Sequence, residues 1–241
     1  MPKKYHSIAS VLIFAIIGLG IGYLFGKLLK SSTGSLNIGL SIIPIAILVT
    51  WLILAFHELG HVIGGSLSGF RMHLFAVGPL RINRSGDRLE FAFNRTPSLW
   101  GGIAASLPSP EALADTETLR KQMLRVVAGG PIASLLGTLA ALPAIWLWPR
   151  NQHLAAAFMI FAIGSFCIAL ATMLPIGNAG FVNDGSRLLQ LLRRSPEGDR
   201  WVANALLGSM SLNLRPREWP AQLIEATTTD TQPSLDSILA M

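Results

Sequence analysis

The chain predicts an all-α polytopic membrane protein of about four transmembrane helices, with a cytoplasmic β-hairpin loop and a short helical C-terminal extension. Three observations carry that expectation. Hydrophobic residues make up 51% of the 241 and charged residues only 13%, about half the ~25% usual in soluble domains. Four apolar runs reach the ~20 residues that a bilayer crossing needs. The basic residues, finally, gather beside those runs on one side.

The runs lie near residues 8–29, 38–67, 126–148 and 154–176. Lys3 and Lys4 precede the first, as in a secretory signal. Its apolar stretch is long for one, however, and no small-x-small cleavage site follows, so a retained span is expected. With four spans, both termini share a side. That side holds 16 of the 19 Lys and Arg residues, leaving Lys27, Lys30 and Arg150 opposite. The positive-inside tendency then makes both termini and the Ser68–Met123 loop cytoplasmic. A multi-pass protein of a prokaryotic cell membrane is the expected setting. The formal net charge of +6 reflects topology on this reading, and nucleic acid is not an expected partner. Cys167 is the single cysteine. It excludes an intrachain disulfide and reads as a small buried hydrophobe.

Within the loop, Leu80-Arg81-Ile82 and Leu89-Glu90-Phe91-Ala92-Phe93 alternate apolar and polar around Ser85-Gly86-Asp87, so a β-hairpin is expected within residues 72–94. Pro97, Trp100-Gly101-Gly102, Pro108 and Pro110 are expected to break regular structure after it. Ser109-Pro110-Glu111 reads as a helix start leading through Leu119 and Met123 into the third span. A core of residues 1–194 is thus followed by a cytoplasmic tail, 195–241. Short helices over Trp201–Met210 and Trp219–Ala226 are expected there, ahead of a polar end without evident chemistry.

The second run ends in His57-Glu58-Leu59-Gly60-His61. Residues four apart share a helix face, so His57 and His61 can present two imidazoles to one metal ion, with Glu58 a candidate general base for a water there. A helix beginning near Pro44 would place His57 about 20 Å along it, within membrane depth. A catalytic zinc commonly takes three protein ligands. Of the 13 Asp and Glu residues, Glu58 and Asp184 alone lie within or at the margin of a span. Asp184 follows a Gly- and Pro-containing stretch, Leu174 to Asn183, that suits a broken helix lining a cavity. It is favoured as the third ligand because a buried carboxylate needs a partner. Two alternatives stand beside it: Asp184 as the cap of a helix over Gly185–Leu192, and Glu90 as a ligand from the loop. His6, His73 and His153 sit at span margins or in the loop, where solvated or interfacial roles are expected.

Over roughly Trp51 to Leu192 the chain resembles the site-2 protease family of intramembrane zinc metalloproteases. The resemblance rests on His57-Glu58-Leu59-Gly60-His61, on Gly129-Gly130-Pro131 in a middle span, and on Asp184-Gly185 at the end of a later one. It implies Zn2+ held by His57, His61 and Asp184, with Glu58 activating water for peptide hydrolysis. It also implies a transmembrane or membrane-bound peptide substrate, which the Leu80–Phe93 hairpin could receive as an added strand. The chain departs from the family pattern in three places. Ser134 stands where Asn is frequent, three residues after the Pro of Gly-Pro. Asn183 replaces the usual Leu before Asp-Gly. The stretch from Pro175 to Asp184 is long, and Asn178 within it could supply the missing polar contact. Ser134, Asn178 and Asn183 are therefore candidate substrate or oxyanion contacts. A proteolytically silent membrane-binding relative and a metal-ion carrier are the competing readings. Glu58 discriminates, since only a hydrolase needs a base beside a retained metal.

Overall fold

The computed structural model describes Lys27, Lys30 and residues 41–108, 116–147, 151–175 and 182–210. The expected first span, the Ser109-Pro110-Glu111 helix start, Asn178 and a helix at Trp219–Ala226 lie outside the described residues.

Three helices are long and apolar enough to cross a bilayer: α1 (Ile42–Ser66), α2 (Thr116–Leu147) and α3 (Gln152–Met173). All three overlap expected runs. α2 starts well before its apolar stretch and, as expected, leads through Leu119 and Met123 into it. Outward-facing Ile47, Leu52, Phe56 and Ile63 of α1 are exposed, as side chains facing hydrocarbon should be.

The connection between α1 and α2 corrects the all-α expectation. It forms a four-stranded antiparallel sheet, β1 (Phe70–Val77), β2 (Leu80–Ser85), β3 (Arg88–Phe93) and β4 (Ile103–Pro108), in spatial order β3-β2-β1-β4. The anticipated hairpin is β2–β3, turning at Gly86-Asp87 in the register Ile82↔Phe91. The stretch expected to lack regular structure instead holds a 3-10 turn, Pro97–Leu99, and then β4. Ile103-Ala104-Ala105-Ser106-Leu107-Pro108 has no clean alternation to mark it as a strand. Its partner supplies the pattern, because β1 offers a complete ladder with a bulge between Met72 and Leu74. Pro108 takes the last position of an edge strand, where a missing N–H costs least. Asn94, fully buried, ties this connector down: Nδ2 donates to Gly78 O at 2.9 Å, and Oδ1 accepts from Thr96 N at 3.1 Å. Trp100 donates from its indole to Asn94 O and packs edge-on against Trp51, with centroids 6.1 Å apart.

The structure divides into two compact units. The first comprises the described residues within Met1–Thr50 and Gly137–Gly164. There Ala155 and Ala156 bury against Ile42, and Ser41 Oγ lies 2.8 Å from His153 Nε2. The second comprises those within Trp51–Leu136 and Ser165–Met241. Its core is a stripe of α2, Leu119, Met123 and Val127, spaced four apart on one face. Phe70 packs with this stripe, as do Leu191 of α4 (Asp184–Arg193) and Val202 and Leu206 of α5 (Pro196–Met210). The helix expected over Trp201–Met210 begins earlier, at Pro196, with Ser195 Oγ accepting from Gly198 N at 3.2 Å, a Ser-Pro start of the usual kind. Residues 196–210 therefore belong to the same compact unit as the candidate ligands. Arg120 links the group: its guanidinium reaches Leu191 O at the end of α4 and Asp199 in α5.

Candidate metal centre

α1 runs past α2 at backbone contact. A Cβ on Gly60 would strike the carbonyl of Gly129, and one on Gly129 would strike that of Gly60. Two small residues thus allow the helices to touch, as in other closely packed membrane helices. One residue on, Gly130 leaves the space that the His61 imidazole fills. The Gly129-Gly130 pair is therefore the seat of the histidine pair, in a helix that continues unbroken through Pro131.

His57 is buried and His61 half-buried. Their rings stand nearly perpendicular, with Nε2 atoms 3.3 Å apart. Asp184, the first residue of α4, brings Oδ2 to 3.2 Å from His57 Nε2 and 3.5 Å from His61 Nε2. The far side of each ring is also held: His57 Nδ1 lies 2.9 Å from Ser134 Oγ, and His61 Nδ1 2.9 Å from Val126 O. A carbonyl can only accept, so His61 carries a proton on Nδ1, and whenever the ring is neutral its Nε2 lone pair faces Asp184. Asp184 Oδ2 is buried, with the two Nε2 atoms the polar groups that face it. Three ligand atoms that converge within 4.8 Å of one another suit a cation. The residues present therefore fit a metal ion.

Glu58 stands next to this group and outside it. Its carboxylate accepts the backbone N–H of Ala104 in β4 and lies against Gly102. There φ is +100°, and a Cβ would come within 2.9 Å of Glu58 Oε1. Only glycine meets both demands without strain. Sequence reasoning had taken Trp100-Gly101-Gly102 as a structure breaker and missed this contact. It also missed the Val126 carbonyl, for which no side-chain signal exists.

The other candidates fall into place as follows. Ser134, 1% exposed, holds His57, so it orients a ring from behind. Asn183 is the N-cap of α4, accepting from Ser186 N at 3.0 Å. The cap, the alternative role for Asp184, falls to the residue before it, and the Asp184 carboxylate is left to the histidines. Glu90 is exposed on β3, opposite Asn83. Among the described residues, His57, His61 and Asp184 are the group of ligand-bearing side chains close enough to share an ion. His73 is set in β1, where burial, then Arg84 and Arg71, hold its imidazole below the ordinary range.

Three helices long and apolar enough to cross a bilayer, with a His-His-Asp group that could hold a metal ion, suggest a membrane protein with the makings of a metal centre. Residues 45–150 match the model of peptidase family M50, so that stretch is M50-like. That match supports a protease. It covers His57, Glu58, His61 and Gly129-Gly130-Pro131 but stops short of Asp184, which reaches the site by folding alone. No curated protein and no solved structure matches the chain.

Proposed function

We propose that the protein is an intramembrane zinc metalloendopeptidase, of the site-2 protease type, acting on transmembrane segments or membrane-bound peptides. The observation that carries this reading is the division of labour in the site: three ligand atoms converge, and a second acidic group, Glu58, stands beside them tied to a strand. His57, His61 and Asp184 would hold the ion. Zinc supplies Lewis acidity there, polarising a carbonyl and acidifying water. Glu58 accepts a proton as water adds to the scissile carbonyl, then delivers it to the departing amine. Ser134 and Val126 keep the imidazoles turned inward.

A peptide in lipid is locked in helix by its own hydrogen bonds, so it must be unwound before cleavage. Pairing with a free sheet edge supplies replacement bonds. β4 is the edge strand whose Ala104 meets Glu58, whereas β3 of the hairpin is the opposite edge. We therefore assign the extended substrate to β4 and not to the β2–β3 hairpin. Four spans with both termini and the sheet cytoplasmic complete the reading, supported by the 16 of 19 basic residues on that side. The test is Glu58→Gln in detergent: cleavage of transmembrane peptides should fall by about 10²–10⁴-fold with zinc content unchanged. Retained activity would remove Glu58 from the mechanism, and lost zinc would make it a ligand.

A further inference from the structure

The connection that delivers Asp184 to the histidines cannot fix it there by length. Ten residues, 174–183, separate α3 from α4, and a chain of that length can span on the order of 35 Å. Something else must set the first turn of α4 against the end of α3, and the Asn183 side chain makes direct polar bonds between them. Asn183 Nδ2 donates to Ala171 O at 3.2 Å and to Leu174 O, both in the last turn of α3 or just beyond it. Its Oδ1 meanwhile accepts from Ser186 N, and its own carbonyl accepts the first helical bond of α4, from Arg187 N at 2.9 Å. One amide thus serves the open end of one helix and the open start of the next. Carbonyls at a helix C-terminus have no partner within the helix, and near a membrane they are costly to leave bare.

The neighbouring backbone shows how close the fit is. A Cβ on Gly185 would collide with the carbonyl of Met173, so α4 meets α3 main chain to main chain. Asp184 lies between these two contacts, with Oδ2 held at the imidazoles. A shift of about 1 Å in α4 would carry the carboxylate out of reach of a metal, whose ligand distances hold to roughly ±0.2 Å.

We propose that Asn183 is the positioning residue of the metal centre: it ties α4 to the end of α3 and thereby places the Asp184 carboxylate for zinc. This rests on the metal-centre reading above and adds to it a residue that touches neither metal nor substrate. It also separates two jobs of one side chain, since serine can cap α4 but is too short to bridge to α3.

The experiment measures zinc affinity by chelator competition in full-length, detergent-purified protein. The chains compared are wild type, Asn183→Ser, Asn183→Leu and Asp184→Ala, each with the melting temperature of its zinc-free form. Both Asn183 variants should lose about 10-fold or more in zinc affinity, the range seen when the supports of a ligand are removed. The zinc-free melting temperature of Asn183→Ser should stay at the wild-type value, because its cap remains. Wild-type affinity in Asn183→Ser, with affinity lost in Asp184→Ala, would overturn the positioning role and leave the metal centre standing. A lowered zinc-free melting temperature in Asn183→Ser, with affinity retained, would overturn it as well. Wild-type affinity in Asp184→Ala would instead sink the metal-centre reading, and this proposal with it.

Discussion

Two atoms behind the histidines show what spacing leaves undecided. A four-residue interval on a helix puts His57 and His61 on one face, but each ring has two nitrogens and can turn either toward its neighbour. Ser134 Oγ and Val126 O engage both Nδ1 atoms, which leaves both Nε2 atoms for the shared site. Ser134→Ala should therefore weaken zinc binding by about 10–100-fold, read by chelator competition. A change confined to KM would instead mark Ser134 as a substrate contact. The choice of third ligand is also testable at this scale. Asp184→Ala should abolish tight zinc binding and cleavage, while Glu90→Ala should leave zinc in place, measured as metal content after dialysis. The motif residues were legible in the chain because their chemistry is local. Gly102 and the Val126 carbonyl were not, since one reads as a turn residue and the other has no side chain in play.

At the scale of elements, the sheet is where sequence and structure part. The β2–β3 hairpin announces itself by alternation and a Gly-Asp turn, while β4 exists because β1 has an open side. Asn94 joins the two, holding the β3–β4 connector to the β1–β2 turn. Asn94→Ala would leave Gly78 O and Thr96 N without that partner, costing about 1–3 kcal/mol, measurable as a lower midpoint of unfolding. Ala104→Pro makes a more specific demand. Proline removes the Ala104 N–H that bonds Glu58 and disturbs the edge strand there. Cleavage should fall with zinc content unchanged, and unaltered turnover would free β4 from any part in aligning substrate. In the helical core, Leu191 is 1% exposed among Leu119, Val202 and Leu206. Leu191→Ala should cost about 2–5 kcal/mol.

For the whole molecule, the chain alone determined roughly where three helices long and apolar enough to cross a membrane lie, and which helix carries the His57–His61 pair. Those properties follow from composition and from periodicity within one helix, so no distant residue can alter them. The proposed orientation belongs to the same level, and a reporter fused after Met241 should be active on the cytoplasmic side. Tertiary structure decided the remainder. It made a four-stranded sheet from one visible hairpin and set Gly60 against Gly129. It set the Ser134 hydroxyl behind His57, and it brought Asp184 across 123 residues to His61. Each of these is a pairing between segments far apart in sequence. Its free energy depends on the partner's position as much as on the residue's own type, and that position becomes defined only when the chain has folded.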